Sequence, residues 1–133
     1  MSNSHLLDAS ALLALIFREP GHDRVAAACP AAISAANLSE VVAKLRDRGV
    51  PLSEAAAVHL DADLEVMPVS EEVAIAAGGL RDVTRPLGLS LGDRLCLATA
   101  QVEGFAVLTA DAAWVDLAEE LGIAITNIRP RPP

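Results

Sequence analysis

Residues 5–21 read HLLDASALLALIFREPG. His5-Leu6-Leu7 has the composition of a short apolar strand, Asp8 follows it, and residues 9–18 form a helix that Glu19-Pro20-Gly21 stops. The same alternation runs through the chain. Further strands are expected at residues 31–35, 64–69, 105–109 and 123–128. Helices are expected at 22–29, at 37–48 before Gly49-Val50-Pro51, at 53–62, at 70–83 with Gly78-Gly79 weakening it, and from Ser90 onward. Short apolar strands alternating with helices specify an α/β fold with a mostly parallel, five-stranded sheet.

The 133 residues suit one domain, taken as residues 1–128 with a frayed tail at 129–133. Hydrophobic residues make up 53% and aromatics only 2%, so Ala, Leu, Val and Ile must build the core. That argues against an aromatic platform for stacking bases. The net charge of −8 disfavours a broad phosphate-binding surface. The exception is a site in which several carboxylates share a cation. Cys29 and Cys96 have no metal-ligand spacing, and two free thiols fit a reducing, cytoplasmic setting. No basic segment precedes the apolar residues 9–17 and no run of about 20 apolar residues occurs, so neither a secretion signal nor a membrane span is expected.

Four carboxylates carry the chemistry. Asp8 and Asp111 each follow an expected strand, the edge of an open parallel sheet at which ligands bind. Each is equally placed to cap the helix after it. Asp93 heads the apolar face of Cys96, Leu97 and Ala100, with Leu91, Leu95, Ala98 and Val102 forming a second. A carboxylate there requires a donor or a cation. Glu40 reads as structural, because Asn37-Leu38-Ser39-Glu40 fits a capping box and Lys44 lies four residues on for an ion pair. Asp116 is a further acid that joins a metal site or is a solvated helix residue. Ser10 and Thr109 flank the strand-end acids and suit metal-bound water, substrate or capping. Arg85 and Arg94 bracket Asp93 as phosphate contacts or surface charges. The three histidines show no triad or zinc spacing.

Leu6-Leu7-Asp8-Ala9-Ser10-Ala11, Asn37-Leu38-Ser39-Glu40-Val41, Leu89-Ser90-Leu91-Gly92-Asp93 and Leu108-Thr109-Ala110-Asp111 occur in that order. Together they resemble a PIN domain of the VapC type, the toxin of toxin–antitoxin pairs. Glu19-Pro20-Gly21 and Cys96-Leu97-Ala98-Thr99-Ala100 add to the likeness, and residues 50–80 contribute little.

The resemblance implies a three-layer fold with an acidic site at the carboxyl edge of the sheet. It implies an Mg²⁺- or Mn²⁺-dependent endoribonuclease with Asp8, Glu40, Asp93 and Asp111 as the catalytic and metal-binding quartet. It also implies a homodimer and a cognate VapB-like antitoxin. For Glu40 it replaces the structural reading that spacing favours. A phosphoacceptor receiver domain fits poorly, since Lys44 is the only lysine and lies mid-chain, and Asp8 has no acidic neighbour. A dehalogenase-type phosphatase would carry an acid where Ser10 stands. A non-catalytic module binding RNA or a partner protein is the remaining alternative.

Overall fold

The computed structural model describes residues 4–129. Strand β1 (His5–Leu7) leads into helix α1 (Ala9–Phe17) and helix α2 (His22–Ala28). Strand β2 (Ala31–Ser34) is followed by α3 (Ala35–Asp47), the short helices α4 (Leu52–Ala55) and α5 (Val58–Asp61), and β3 (Leu64–Met67). Helices α6 (Glu71–Gly79) and α7 (Arg81–Thr84) precede a 3-10 turn at Arg85–Leu87 and the long helix α8 (Leu91–Glu103). Strand β4 (Ala106–Thr109), a 3-10 segment at Ala112–Leu117, α9 (Ala118–Leu121) and β5 (Ile125–Asn127) complete the described chain.

The five strands are all parallel, in the order β3-β2-β1-β4-β5. Side chains alternate between faces along each strand, and the two cores follow from that alternation. Leu6, Ala32, Val107 and Ile125 point to one side, beneath α6, α8 and Trp114. Leu7, Ile33, Leu64 and Leu108 point to the other, beneath α1, α2 and α3. Residues paired in register share a face, as Leu6 does with Ala32 and Val107. Sheet covered on both faces requires near-continuous apolar strands, and β1, β2 and β4 comply. The result is the expected three-layer α/β fold.

The chain leaves β1 in one direction, toward β2 and β3, and returns on its other side as β4 and β5. The carboxyl ends of β1 and β4 therefore flank the point where strand order reverses, where open α/β sheets form a crevice.

Several boundaries differ from the sequence reading. Helix α3 starts at Ala35 because Ser34 caps it, its hydroxyl accepting the Asn37 N–H at 3.1 Å. Asn37 is therefore inside the helix and free of the capping role assigned to it. The helices expected at 53–62 and 70–83 are each broken in two, the second one just past Gly78-Gly79. Leu91 is solvent-exposed and belongs to no apolar face. The turn after α1 depends on Gly21, whose φ is +96° and whose missing Cβ would overlap the carbonyl of Ile128. Of the expected tail, Arg129 lies 3.8 Å from Glu19 in an exposed ion pair; residues 130–133 lie outside the described residues. Among the described residues no helix is long and apolar enough to cross a membrane.

Candidate metal centre

Asp8 sits at the end of β1 as the N-cap of α1 and is 4% exposed. Its Oδ1 accepts the Ala11 N–H at 2.8 Å and the Ser10 hydroxyl at 2.7 Å. Its Oδ2 accepts the Thr109 hydroxyl at 2.6 Å, from the end of β4. Burial pushes the Asp8 carboxyl up to about 6. The bonds from Thr109, Ser10 and the Ala11 N–H work against that rise, and the Asp93 charge adds to it. Three donors thus leave the buried charge only partly compensated, and the capping and ligand readings of Asp8 are compatible.

Ser10 and Thr109 do more than flank the acids. Ser10 also accepts the Ala110 N–H at 2.8 Å, and Thr109 accepts the Asp111 N–H at 3.0 Å. Both hydroxyls therefore have their proton directed at Asp8 and an oxygen lone pair taken by the backbone after β4. They fix Asp8 and the turn carrying Asp111 to each other.

Asp93 is half-buried and completes a capping box with Ser90. Its Oδ2 accepts the Ser90 N–H at 2.9 Å, and its own N–H is donated to Ser90 Oγ at 3.2 Å. Asp111 is exposed and caps the 3-10 segment through Oδ1, which accepts the Ala113 N–H at 3.0 Å. In both residues the second carboxylate oxygen is outside these bonds. The capping box that spacing suggested for Glu40 thus belongs to Asp93.

Asp8, Asp93 and Asp111 line one cleft of about 300 Å³, with Ala9, Ser10, Leu13, Lys44 and Trp114. Glu40 does not line it. Its Oε1 accepts the Asn37 amide at 2.6 Å, and its carboxylate lies so close to Gly92 that a Cβ there would overlap it. Lys44 forms no ion pair with Glu40; it is exposed at the cleft. All the same, Glu40 shares the electrostatic neighbourhood. The buried Cys96 thiol is pushed well above its usual range by burial and then by the charges of Asp8, Asp93 and Glu40. Arg85 is exposed on its 3-10 turn, and Arg94 follows Asp93 with its Nε buried and unpartnered; neither lines the cleft. Asp116 is exposed and also outside it.

The donor set is made of hard oxygen atoms, and Asp8 is buried with a charge that its three donors only partly compensate. Both features fit a hard divalent ion such as Mg²⁺, which keeps several of its waters. Among the described residues, no group of three or more His, Cys, Asp or Glu side chains is arranged to hold an ion by itself.

Sequence reasoning gave Lys44 and Asn37 other roles, an ion pair with Glu40 and a helix cap, and gave Trp114 and Gly92 none. The i, i+3 spacing of Asn37 and Glu40, and a glycine directly before Asp93, were the available signals.

Several solved structures are similar to this chain in fold. The solved toxin–antitoxin complex from Klebsiella pneumoniae contains a chain similar in fold, with a TM-score of 0.74 and 22% identity over 96% of this chain and 100% of that one. DNA-bound VapBC from Salmonella typhimurium gives 0.69 and 21% over 95% and 98%. VapBC2 from Rickettsia felis, bound to a DNA fragment from their promoter, gives 0.66 and 18% over 92% and 96%. No curated protein matches the chain. At such identities the structural likeness concerns the fold. The model of the PIN domain matches residues 5–120, a span that includes β1, β4 and all four carboxylates. The chain belongs to the PIN domain family.

Proposed function

We propose that this PIN domain is the toxin of a toxin–antitoxin pair and a metal-dependent endoribonuclease. The observation that carries the reading is the meeting of Asp8, Asp93 and Asp111, from three separate elements, in one cleft at the switch point of the sheet. Asp8 and Asp93 would be the principal ligands for Mg²⁺ or Mn²⁺, with Glu40 and Asp111 engaged directly or through water. Such an ion, when bound, would lower the pKa of a coordinated water and offset charge on the reacting phosphate.

The chain's own residues do the rest. Thr109, Ser10 and the Ala11 N–H hold both Asp8 oxygens in one orientation, so no reorganisation is needed when substrate arrives. Lys44 is the only basic side chain among those lining the cleft, and it draws a phosphodiester into an otherwise negative site. Leu13 and Trp114 supply apolar wall. The carboxylate oxygens of Asp93 and Asp111 left outside their capping bonds would be available to the ion or to its waters. Water adds to phosphorus, the bond to the 3′ oxygen breaks, and that oxygen takes the proton. The ends are a 3′-hydroxyl and a 5′-phosphate.

The kinship in fold with chains of toxin–antitoxin complexes supports a VapB-like antitoxin as partner. A homodimer and a cytoplasmic setting belong to the same reading. Purified protein incubated with RNA and Mg²⁺ or Mn²⁺ tests it: cleavage is expected, and chelator, Asp8→Asn or Asp93→Asn each abolish it. Cleavage that persists in chelator sinks the metal-dependent mechanism.

One observation favours a second reading, a module that binds without cutting: Glu40 stands outside the cleft with its Oε1 taken by the Asn37 amide. Titration calorimetry separates the two, since that module would take up no Mg²⁺ or Mn²⁺.

A further inference from the structure

Asn37 is 1% exposed, and its side chain makes contacts that packing alone does not explain. With Ser34 capping α3, the Asn37 backbone N–H is already used, and its carboxamide is available for tertiary contacts. The Nδ2 group donates to Glu40 Oε1 at 2.6 Å and to the Gly92 carbonyl at 3.2 Å. Two acceptors fix the orientation of the amide, because a flipped group would set its oxygen against a carboxylate and a carbonyl. The arrangement has a cost, since Asn37 Oδ1 is buried without a partner. An apolar residue of similar size would leave no such orphan, so the two donors account for the amide.

Gly92 closes the arrangement from the other side. Its backbone needs no positive φ; what it provides is room, since a Cβ would lie 2.8 Å from Glu40 Cδ and 3.1 Å from Oε2. Glu40 is therefore seated against the first turn of α8, one residue before Asp93. No ion pair holds it there, and its spacing partner Lys44 faces the cleft.

We propose that Asn37 is a positioning residue: its amide ties the Glu40 carboxylate of α3 to the Gly92 backbone of α8 and so sets Glu40 relative to Asp93. The proposal rests on the nuclease reading for its consequence, though not for its geometry. Partners that orient a ligating carboxylate are worth about 10- to 100-fold in metal affinity or activity.

The full chain, ¹⁵N-labelled and free of metal, provides the first test. The two Asn37 side-chain N–H signals exchange slowly with water, and Glu40→Gln shifts the one bonded to the carboxylate. Asn37 signals that stay in place in Glu40→Gln overturn the proposal, with neither metal nor substrate involved. Next, Asn37→Ala and Asn37→Asp are compared by melting, Mg²⁺ calorimetry and RNA cleavage. Both are expected to lower kcat and Mg²⁺ affinity by about 10- to 100-fold with KM for RNA unchanged. Asn37→Asp is the worse of the two, because it sets a second carboxylate against Glu40. Gly92→Ala displaces Glu40 and gives the same loss while the fold is kept. A lower melting temperature with kcat and Mg²⁺ affinity intact would overturn the positioning role. Should the wild type cut no RNA with either ion, the nuclease reading fails alone, and the amide signals still decide whether Asn37 holds Glu40.

Discussion

Thr109 donates its hydroxyl to Asp8 Oδ2 across 2.6 Å, joining residues 101 positions apart in the chain. The bond ties the carboxyl ends of β1 and β4 together at the point where the strand order turns. It also defines the state of Asp8. A hydroxyl that accepts the Asp111 N–H has its proton left for Asp8, whose oxygens then serve only as acceptors while it is ionised. Burial nevertheless lifts the carboxyl to about 6.

The pH dependence of stability follows from that value. An ordinary carboxyl near 3.8 in the unfolded chain titrates near 6 once Asp8 is folded. A raised acid contributes stability that is fully present below about pH 4 and is lost as pH rises through 6. The loss at neutral pH is on the order of 3 kcal/mol. Asp8→Asn removes the charge and retains Oδ1 for Ala11 and Ser10. In the metal-free protein its melting temperature relative to the wild type should rise between pH 4 and pH 7, on top of a constant offset from Nδ2 meeting the Thr109 hydroxyl where Oδ2 had accepted it. Melts across that range check it; a gap independent of pH refutes the partly compensated charge.

Asp93 separates capping from chemistry. Asp93→Ala removes the acceptor for the Ser90 N–H and should cost about 1 kcal/mol. Asp93→Asn retains an oxygen for that bond and should leave the melting temperature close to wild type while abolishing RNA cleavage. Denaturant unfolding and cleavage assays on the pair read the two roles separately. Full activity in Asp93→Asn would remove it from the metal site.

Metal should act as a stabilising ligand. At a hundredfold excess over Kd, Mg²⁺ or Mn²⁺ adds about 2.7 kcal/mol by mass action. The melting temperature is expected to rise with either ion, to fall back with chelator, and to be insensitive to both in Asp8→Asn. Identical wild-type melts with and without metal would count against the site.

Lys44 is exposed at the cleft, so its removal should spare the fold. Surface substitutions of this kind stay within about 0.5 kcal/mol. Lys44→Gln should raise KM for RNA and flatten its dependence on salt, since one fewer phosphate charge is neutralised. Steady-state kinetics at two salt concentrations decide it, and an unchanged KM would discard the phosphate contact.

The opening stretch and its counterpart ending at Asp111 were legible because strand and helix periodicity is local. The parallel α/β class, the five strands and the strand-end positions of Asp8 and Asp111 all follow from patterns within about ten residues. So do the Ser70 and Ser90 helix starts, each with its side-chain cap. Glu40 entered the candidate quartet by motif alone, because along the helix it looks like any surface acid. Its neighbour Asn37 was misread as a cap, since Ser34 and Asn37 are both good caps and only the backbone path after β2 selects Ser34.

Fold class, family and the order of the acidic residues were all readable along the chain. Those depend on spacing along the chain and on which side chains tolerate burial. Tertiary structure alone decided which carboxylates share a cleft, that Asp8 is the buried and elevated one, and that Glu40 is held against Gly92 instead of paired with Lys44. Hydrogen bonds between residues 55 and 101 positions apart set these relationships. Such contacts form only when β1, β4, α3 and α8 pack at one edge of the sheet, and no local pattern specifies their partners.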